Sequence, residues 1–262
     1  MKFPDASNVP ANMLFPTDGT AFDMLARFID HEYVDPEDMW MRGVAANLGI
    51  VKGKPFAPDA GTRAMLDRAA RVAFGMSRAV AFTPGGWTKW YSDRTWLNVF
   101  VGGNPNFTAP TYDLFDARTS YFSIAYSTSP GMAVSMVDVG AKYLVAFIDS
   151  EGKLLSGAMA YRLHLPSGIP AKLFWSVTVY DALTASGLDN GQPFPSINQM
   201  DKPATNADGS TDFYFGPTSP GEGKNGLRTV PDKGFFVVLR LYGPTEPFFN
   251  QTWRPGDLTE IR

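Results

Sequence analysis

Cysteine is absent from the 262-residue sequence, which excludes disulfide staples, thiolate zinc sites and a cysteine nucleophile. Histidine is almost absent as well, with only His31 and His164 present. A serine–histidine–aspartate site would need one of them beside a nucleophile. No Gly-x-Ser-x-Gly elbow occurs, and His164 alternates with apolar residues in a strand-like run, so both read as structural or solvated. No Lys/Arg cluster stands out and the formal net charge is -3, so the electrostatic footprint of nucleic-acid binding is missing and nucleic acid is not expected as a partner. Long hydrophobic runs are lacking too. No stretch approaches the 18 or so apolar residues of a membrane span, and Met1 to Asn12 has no apolar run behind a basic start. Neither a signal peptide nor contact with a membrane is expected, and bacterial cytoplasm and periplasm both stay open as compartments.

What the chain does have is apolar content. Hydrophobic residues make up 44% and charged residues only 19%, a balance that supports a substantial core and argues against intrinsic disorder. The length lies near the upper limit for one core, so two packed layers are expected. The first third reads as helices. Thr17 and Asp18 can cap a segment in which Phe22, Leu25 and Ile29 recur at helical spacing, with Phe28 widening the stripe. Asp35 followed by Pro36, Glu37 and Asp38 combines a cap, a proline suited to the first helical position and two acids facing the helix dipole. Trp40, Met41, Val44 and Leu48 supply the expected buried face of that helix, and Gly49 stops it. A third helix over about 59–82 puts Met65, Ala69, Val72, Met76 and Val80 on one stripe.

Residues 84–110 are rich in glycine, proline and aromatics without a clean period and read as an ordered crossover. A fourth helix follows, with Leu114, Phe115, Arg118, Tyr121, Phe122 and Ala125 at spacings of three and four, its aromatics suggesting burial on more than one side. From Gly140 the period changes from helical to two-fold. Ala141 to Ile148 is a nearly continuous apolar run, while 160–165, 174–180, 212–215 and 235–242 alternate apolar and polar residues between turn clusters. The expected fold is therefore α+β: N-terminal helices packed on a C-terminal antiparallel β-sandwich of jelly-roll type. The expected divisions are a helical segment over 1–83, the crossover and helix over 84–139, and the sandwich over 140–262.

Several ordered motifs carry a family resemblance. The run Phe174-Trp175-Ser176-Val177-Thr178-Val179-Tyr180-Asp181 is followed by Asn206-Ala207-Asp208-Gly209-Ser210 leading into Asp212-Phe213-Tyr214-Phe215-Gly216-Pro217. Leu239-Arg240-Leu241-Tyr242-Gly243-Pro244 and Trp253-Arg254-Pro255-Gly256 close the series. Together they resemble the bacterial domain of unknown function 1214 family. Gly49 to Phe56 and Asp116 to Thr119 are similar to the helical connector and entry segment of its longer members. The resemblance implies a sandwich preceded by helices and no known activity. Longer members carry a further N-terminal β domain with no counterpart in this sequence, and Gly226 stands where relatives tend to have tryptophan.

Gly221 to Gly226 formally matches a dinucleotide fingerprint, but no helix pattern follows it, and a flexible hairpin loop between two strands explains it better. Asn206, Asp208, Ser210 and Asp212 alternate side-chain oxygens as a hard cation would require, yet a plain Asp-Gly turn explains the same residues. No cofactor and no metal are expected. The candidate ligand-binding residues are Arg118, Tyr121 and Tyr126 on the fourth helix, Trp175, Tyr180 and Asp181 on one strand, and Arg240 and Tyr242 on another. If helix and sheet face one another, guanidinium groups there recognise a carboxylate and the rings stack on a flat or sugar-like ligand. A hydrogen-bond network that merely fixes helix to sheet uses the same residues. Three classes of function follow: a small-molecule or saccharide binder, an enzyme working with Tyr, Arg and Asp, and a self-associating assembly module that forms a homo-oligomer.

Overall fold

The computed structural model describes residues 5, 7–8, 14–82, 88–125 and 127–261. The chain divides into two compact units, residues 1–76 and 77–262.

The first unit is helical, with α1 (Thr20–His31), α2 (Met39–Ala46) and most of α3 (Ala60–Phe82). Short polar side chains start these helices by taking otherwise unpaired amides. Asp18 Oδ1 accepts from Thr20 N at 3.0 Å, Asp35 Oδ1 from Glu37 N at 3.0 Å and Asp59 Oδ1 from Thr62 N at 2.7 Å. Pro36 opens a 3-10 turn, Pro36–Asp38, that leads into α2. A small cluster of Ile29, Ala45 and Ile50, with Phe22, Ala26 and Phe56 packed against it, forms the core of this unit. Arg42 ties α2 back to the Tyr33 carbonyl at 2.8 Å, and Arg63 pairs with Asp23 at 2.7 Å.

The expected buried face of α2 is not buried, and that of α1 is buried only in part. Trp40, Met41 and Val44 of α2 and Leu48 just beyond it are all exposed, as are Leu25 and Phe28 of α1, while Ile29 of α1 is buried. On α3, Met65, Val72 and Met76 are exposed, whereas Leu66 and Ala70, one position further on, are buried. The period was right but the side was wrong: this helix is apolar around more than one face, and each residue turns the wheel by about 100°.

The second unit is a sandwich of two sheets. Ten strands make them up: β1 (Thr88–Lys89), β2 (Leu97–Asn98), β3 (Ala141–Ala146), β4 (Ala160–Leu165), β5 (Ala171–Asp181), β6 (Ser196–Asn198), β7 (Thr211–Gly216), β8 (Asn225–Arg228), β9 (Phe235–Pro244) and β10 (Thr259–Ile261). The six-stranded sheet runs β1-β2-β3-β9-β5-β6 and the four-stranded sheet β10-β4-β7-β8. All pairings are antiparallel except β7 with β8, which is parallel. The chain between β7 and β8 is therefore a return connection and not a hairpin, a correction to the uniformly antiparallel expectation. The fold is α+β, two mainly antiparallel sheets with helices.

Alternation decides what lies between the sheets. Leu144 and Ala146 of β3, Trp175, Val177 and Val179 of β5, and Val237, Leu239 and Leu241 of β9 face Tyr161, Leu163 and Leu165 of β4 and Phe213 and Phe215 of β7. Trp175 meets Phe213 edge-on at 6.0 Å, a favoured arrangement of ring quadrupoles. Close packing leaves no room at Gly157, where a Cβ would stand 1.9 Å from the Val230 carbonyl oxygen. The crossover is stapled to the C-terminal segment: Trp96 Nε1 donates to Gly256 O at 2.8 Å, and Thr95 N and Oγ1 both donate to Asp257 Oδ1.

The outer face of the six-stranded sheet is covered in part by α4 (Phe115–Phe122) and α5 (Pro130–Ala133). Here Val99, Phe100, Phe107, Ala117, Tyr121 and Ala133 pack on Val145, Phe147, Phe236 and Val238. Ala117, Ser120 and Tyr121 are buried, while Phe115 and Phe122 remain exposed, so α4 is not buried all round by its aromatics. A last short helix, α6 (Glu246–Phe249), stacks Phe248 on Trp90 at 4.6 Å.

Candidate functional site

Strand alternation also decides what faces away from the sandwich core. On β9, Phe236 and Val238 lie under α4 and its neighbours, but Arg240 and Tyr242 continue the same row beyond that cover. Register sets Tyr143 of β3 opposite Arg240 on one side and Ser176 of β5 on the other. Thr178 and Tyr180 share this face, and Phe174 packs on Tyr242 at 5.5 Å. The result is a half-buried polar patch on an otherwise apolar sheet.

Arg240 is its centre. One guanidinium nitrogen donates to Thr178 Oγ1 at 3.0 Å and another donates to the Tyr180 hydroxyl, while the guanidinium carbon lies 5.4 Å from the Tyr180 ring centroid. Thr178 Oγ1 is itself 2.9 Å from Ser196 Oγ on β6. Among the described residues no carboxylate comes within salt-bridge distance of Arg240. Tyr143 stands at the border with α4, its ring 6.4 Å from that of Phe100. Burial, followed by the neighbouring Tyr242, pushes its phenol above the usual range despite the opposing pull of Arg240. The group stays a neutral hydroxyl at physiological pH. Chemically, the patch offers a fixed cation, phenol hydroxyls able to donate or accept, and flat ring surface.

The structure brings together Tyr180, Arg240 and Tyr242 from the candidate set. The others lie elsewhere. Trp175 points into the sandwich core, because odd-numbered residues of β5 face inward and even-numbered ones outward. Tyr121 is buried beside Phe100 and Phe107 and donates to Ser127 O at 2.8 Å; burial pushes its phenol up to about 12. Arg118, expected on the same helix face, instead reaches Asn106 O at 2.7 Å and lies 3.9 Å from Asp113. Asp181 ends β5 away from Arg240, where it accepts from Lys233 Nζ at 2.7 Å and from Leu183 N and Thr184 N. Burial works to raise its pKa, but the Lys233 hydrogen bond, the two amides and the Lys233 charge outweigh it, and the carboxyl sits below its ordinary value. The Tyr–Arg–Asp constellation imagined for an enzyme is thus not assembled around Arg240. Tyr126 lies outside the described residues.

Tyr143 and Thr178 were not among the candidates. Tyr143 was hidden inside an apolar run whose outward positions could not be told from inward ones. Thr178 is an ordinary strand residue until register sets it beside Arg240.

The remaining motifs have local explanations. Asn206 Nδ2 donates to Ser210 Oγ and Asp212 Oδ2, and Asp208 Oδ1 accepts from Ser210 N and Oγ, so this loop satisfies its own polar atoms. His164 Nδ1 lies 2.8 Å from Asp212 Oδ1, which Arg162 also approaches at 3.1 Å on the outer face of the four-stranded sheet. Gly221 to Gly226 runs from the β7–β8 connection into β8 with no helix after it.

These features define an α+β protein whose sandwich carries a polar patch beside a helix. Residues 140–246, which span β3 to β9 of the sandwich, match the model of the family described as protein of unknown function (DUF1214). No curated protein matches the chain. Among solved structures, the VPA0106 protein of Vibrio parahaemolyticus is similar at 17% identity and a TM-score of 0.45, with 100% of this chain and 58% of that one covered. An uncharacterized protein of Burkholderia cenocepacia is similar at 15% identity and a TM-score of 0.41, with 81% and 47% covered. The chain thus spans between about half and three fifths of these two solved chains.

Proposed function

We propose that the protein binds, or acts on, a small polar molecule at the Arg240 surface beside α4, with a carboxylate or an acidic saccharide fitting the chemistry best. One observation carries this reading: a half-buried guanidinium with no carboxylate partner among the described residues, ringed by Tyr143, Tyr180 and Tyr242. Removing a cation from water costs free energy, and an anionic ligand offsets that cost through charge-assisted hydrogen bonds. Tyrosine faces supply stacking area for a planar or sugar-like body. The test is a thermal-shift screen over carboxylates, neutral sugars and acidic sugars, repeated on Arg240→Gln. A saturable rise in melting temperature that the substitution abolishes supports the reading. A rise of the same size in Arg240→Gln overturns it, as does no response to any member of the three classes.

A second reading has an observation of its own. Exposed Met65, Val72 and Met76 line one side of α3, and with Ala69 they repeat at spacings of four, three and four, the seam of a two-helix coiled coil. A self-associating module of jelly-roll type, a homo-oligomer without catalytic activity, would cover that stripe with a second copy. Light scattering on the eluted protein separates the cases. A dimer that becomes monomeric in Val72→Glu favours assembly, and a monomeric parent chain removes it.

A further inference from the structure

A cavity of about 400 Å³ opens at the end of the sandwich where β5 finishes, away from the Arg240 surface. Its floor is aromatic and aliphatic: Phe82 from the last turn of α3 lies 4.7 Å from Phe147, and Leu155 and Phe235 are buried beneath. Two leucines stand on the rim, Leu154 at 58% exposure and Leu183 at 63%. Apolar side chains held out at the mouth of an apolar hollow gain burial when something fills it.

The wall beside Leu183 is firmly built. Asp181 is only 4% exposed, and its carboxylate holds the following turn through Leu183 N at 2.7 Å and Thr184 N at 3.1 Å. Lys233 Nζ closes the other oxygen at 2.7 Å. Ala185 takes a positive φ of 57°, a conformation that crowds any residue carrying a Cβ. Its amide reaches back to Asp181 O at 2.9 Å. The turn is thus held in a strained shape that presents Leu183 at the rim, as strained backbone at a binding site does.

Charge narrows the occupant. Four ionisable groups border the cavity: Arg78 and Lys233 are cationic, Asp181 and Asp232 anionic, and their formal charges cancel. Asp181 and Lys233 already neutralise each other at contact. The volume falls within the roughly 300–1,000 Å³ typical of small-molecule sites and is too small for a folded partner. We propose that this cavity binds a small uncharged apolar molecule, aromatic or branched aliphatic, seated on Phe82 and Phe147 and covered by Leu154 and Leu183.

N-phenyl-1-naphthylamine, a neutral apolar fluorophore, is a suitable probe. The expected result is saturable one-site binding to the full chain that weakens about tenfold or more in Leu183→Asp and Leu154→Asp, each of which sets a carboxylate at the apolar mouth. Both positions are largely exposed, so folding is retained, and a matching unfolding midpoint verifies it. Leu183→Ser, which adds no charge, weakens binding in the same direction by less. Arg240→Gln leaves probe binding unchanged, which keeps this site distinguishable from the anion surface. Unchanged binding in both rim aspartate variants overturns the proposal, and so does loss of binding in Val72→Glu, which would move the probe to the helical stripe.

Discussion

The helical unit and the sandwich unit are built from similarly apolar sequence but bury it very differently. Among the described residues the helical cluster rests on Ile29, Ala45 and Ile50, whereas the main sandwich cluster draws buried side chains from both sheets and from Tyr91, Trp96 and Trp253. Most large apolar side chains of α1 and α2 are exposed, including Trp40 at 69% and Phe28 at 55%. A sheet fixes every second side chain against its facing layer, so burial follows from pairing. A helix presents several faces, and three helices cannot cover them all. Stability should therefore concentrate in the sandwich, and exposed apolar area in the helices.

The largest expected effect sharpens that contrast. Leu239→Ala, at a position with no exposure between the sheets, should cost about 2–5 kcal/mol of unfolding free energy by leaving a cavity in a close-packed layer. Denaturant unfolding followed by tryptophan fluorescence reads it. Next comes Asp181→Asn, which removes charge-assisted hydrogen bonds to Lys233 and to two amides and should cost roughly 1.5–3 kcal/mol at neutral pH. Because the folded pKa of Asp181 lies below its ordinary 3.8, its contribution is present above that value and is lost as pH falls through the folded pKa. The gap between parent and variant should therefore close as unfolding is measured at pH 4 and below.

A smaller effect has the opposite sign. Lys142 is 7% exposed and donates to Ala133 O at 2.9 Å and Ser135 Oγ at 3.2 Å, and burial pushes its pKa down to about 8. At neutral pH the folded state holds a charge that burial disfavours, and stability rises as pH increases from about 8 toward the ordinary 10.5, because the unfolded chain then binds more protons. Lys142→Met should raise stability at pH 7 by roughly 1–2 kcal/mol and flatten that alkaline rise, both read by denaturant titration across pH. The smallest effect belongs to the helices: Val72→Glu should change unfolding free energy by no more than about 0.5 kcal/mol in the monomer. A larger, concentration-dependent loss would break the comparison by showing that the stripe is covered.

Of the eight candidate residues, the sequence pattern accounts for the three that meet on one sheet face, and the separation of the others has physical reasons. Tyr180, Arg240 and Tyr242 follow from two-fold alternation, since polar residues within apolar strands must share the outward face. Trp175 fails on the same rule, being odd-numbered on β5 and so turned inward. Arg118 and Tyr121 are three positions apart on α4, but sequence spacing says nothing of the partner each will find, and one reaches the Asn106 loop while the other is buried. The strands β6, β8 and β10 are three or four residues long, too short for a period to be recognised.

By itself the sequence determined the periods: helical up to about residue 82 and again after Pro110, two-fold after 140, with turns and caps set by Asp, Pro and Gly at the joints. Those features are local, since backbone sterics and short-range hydrogen bonds act within a few residues. Only the tertiary structure decided which stripe of α3 is buried, that β7 and β8 run parallel, and that Tyr143 and Thr178 meet Arg240. Each of these depends on which distant segment supplies the opposing surface, and a chain read one neighbourhood at a time does not contain that information.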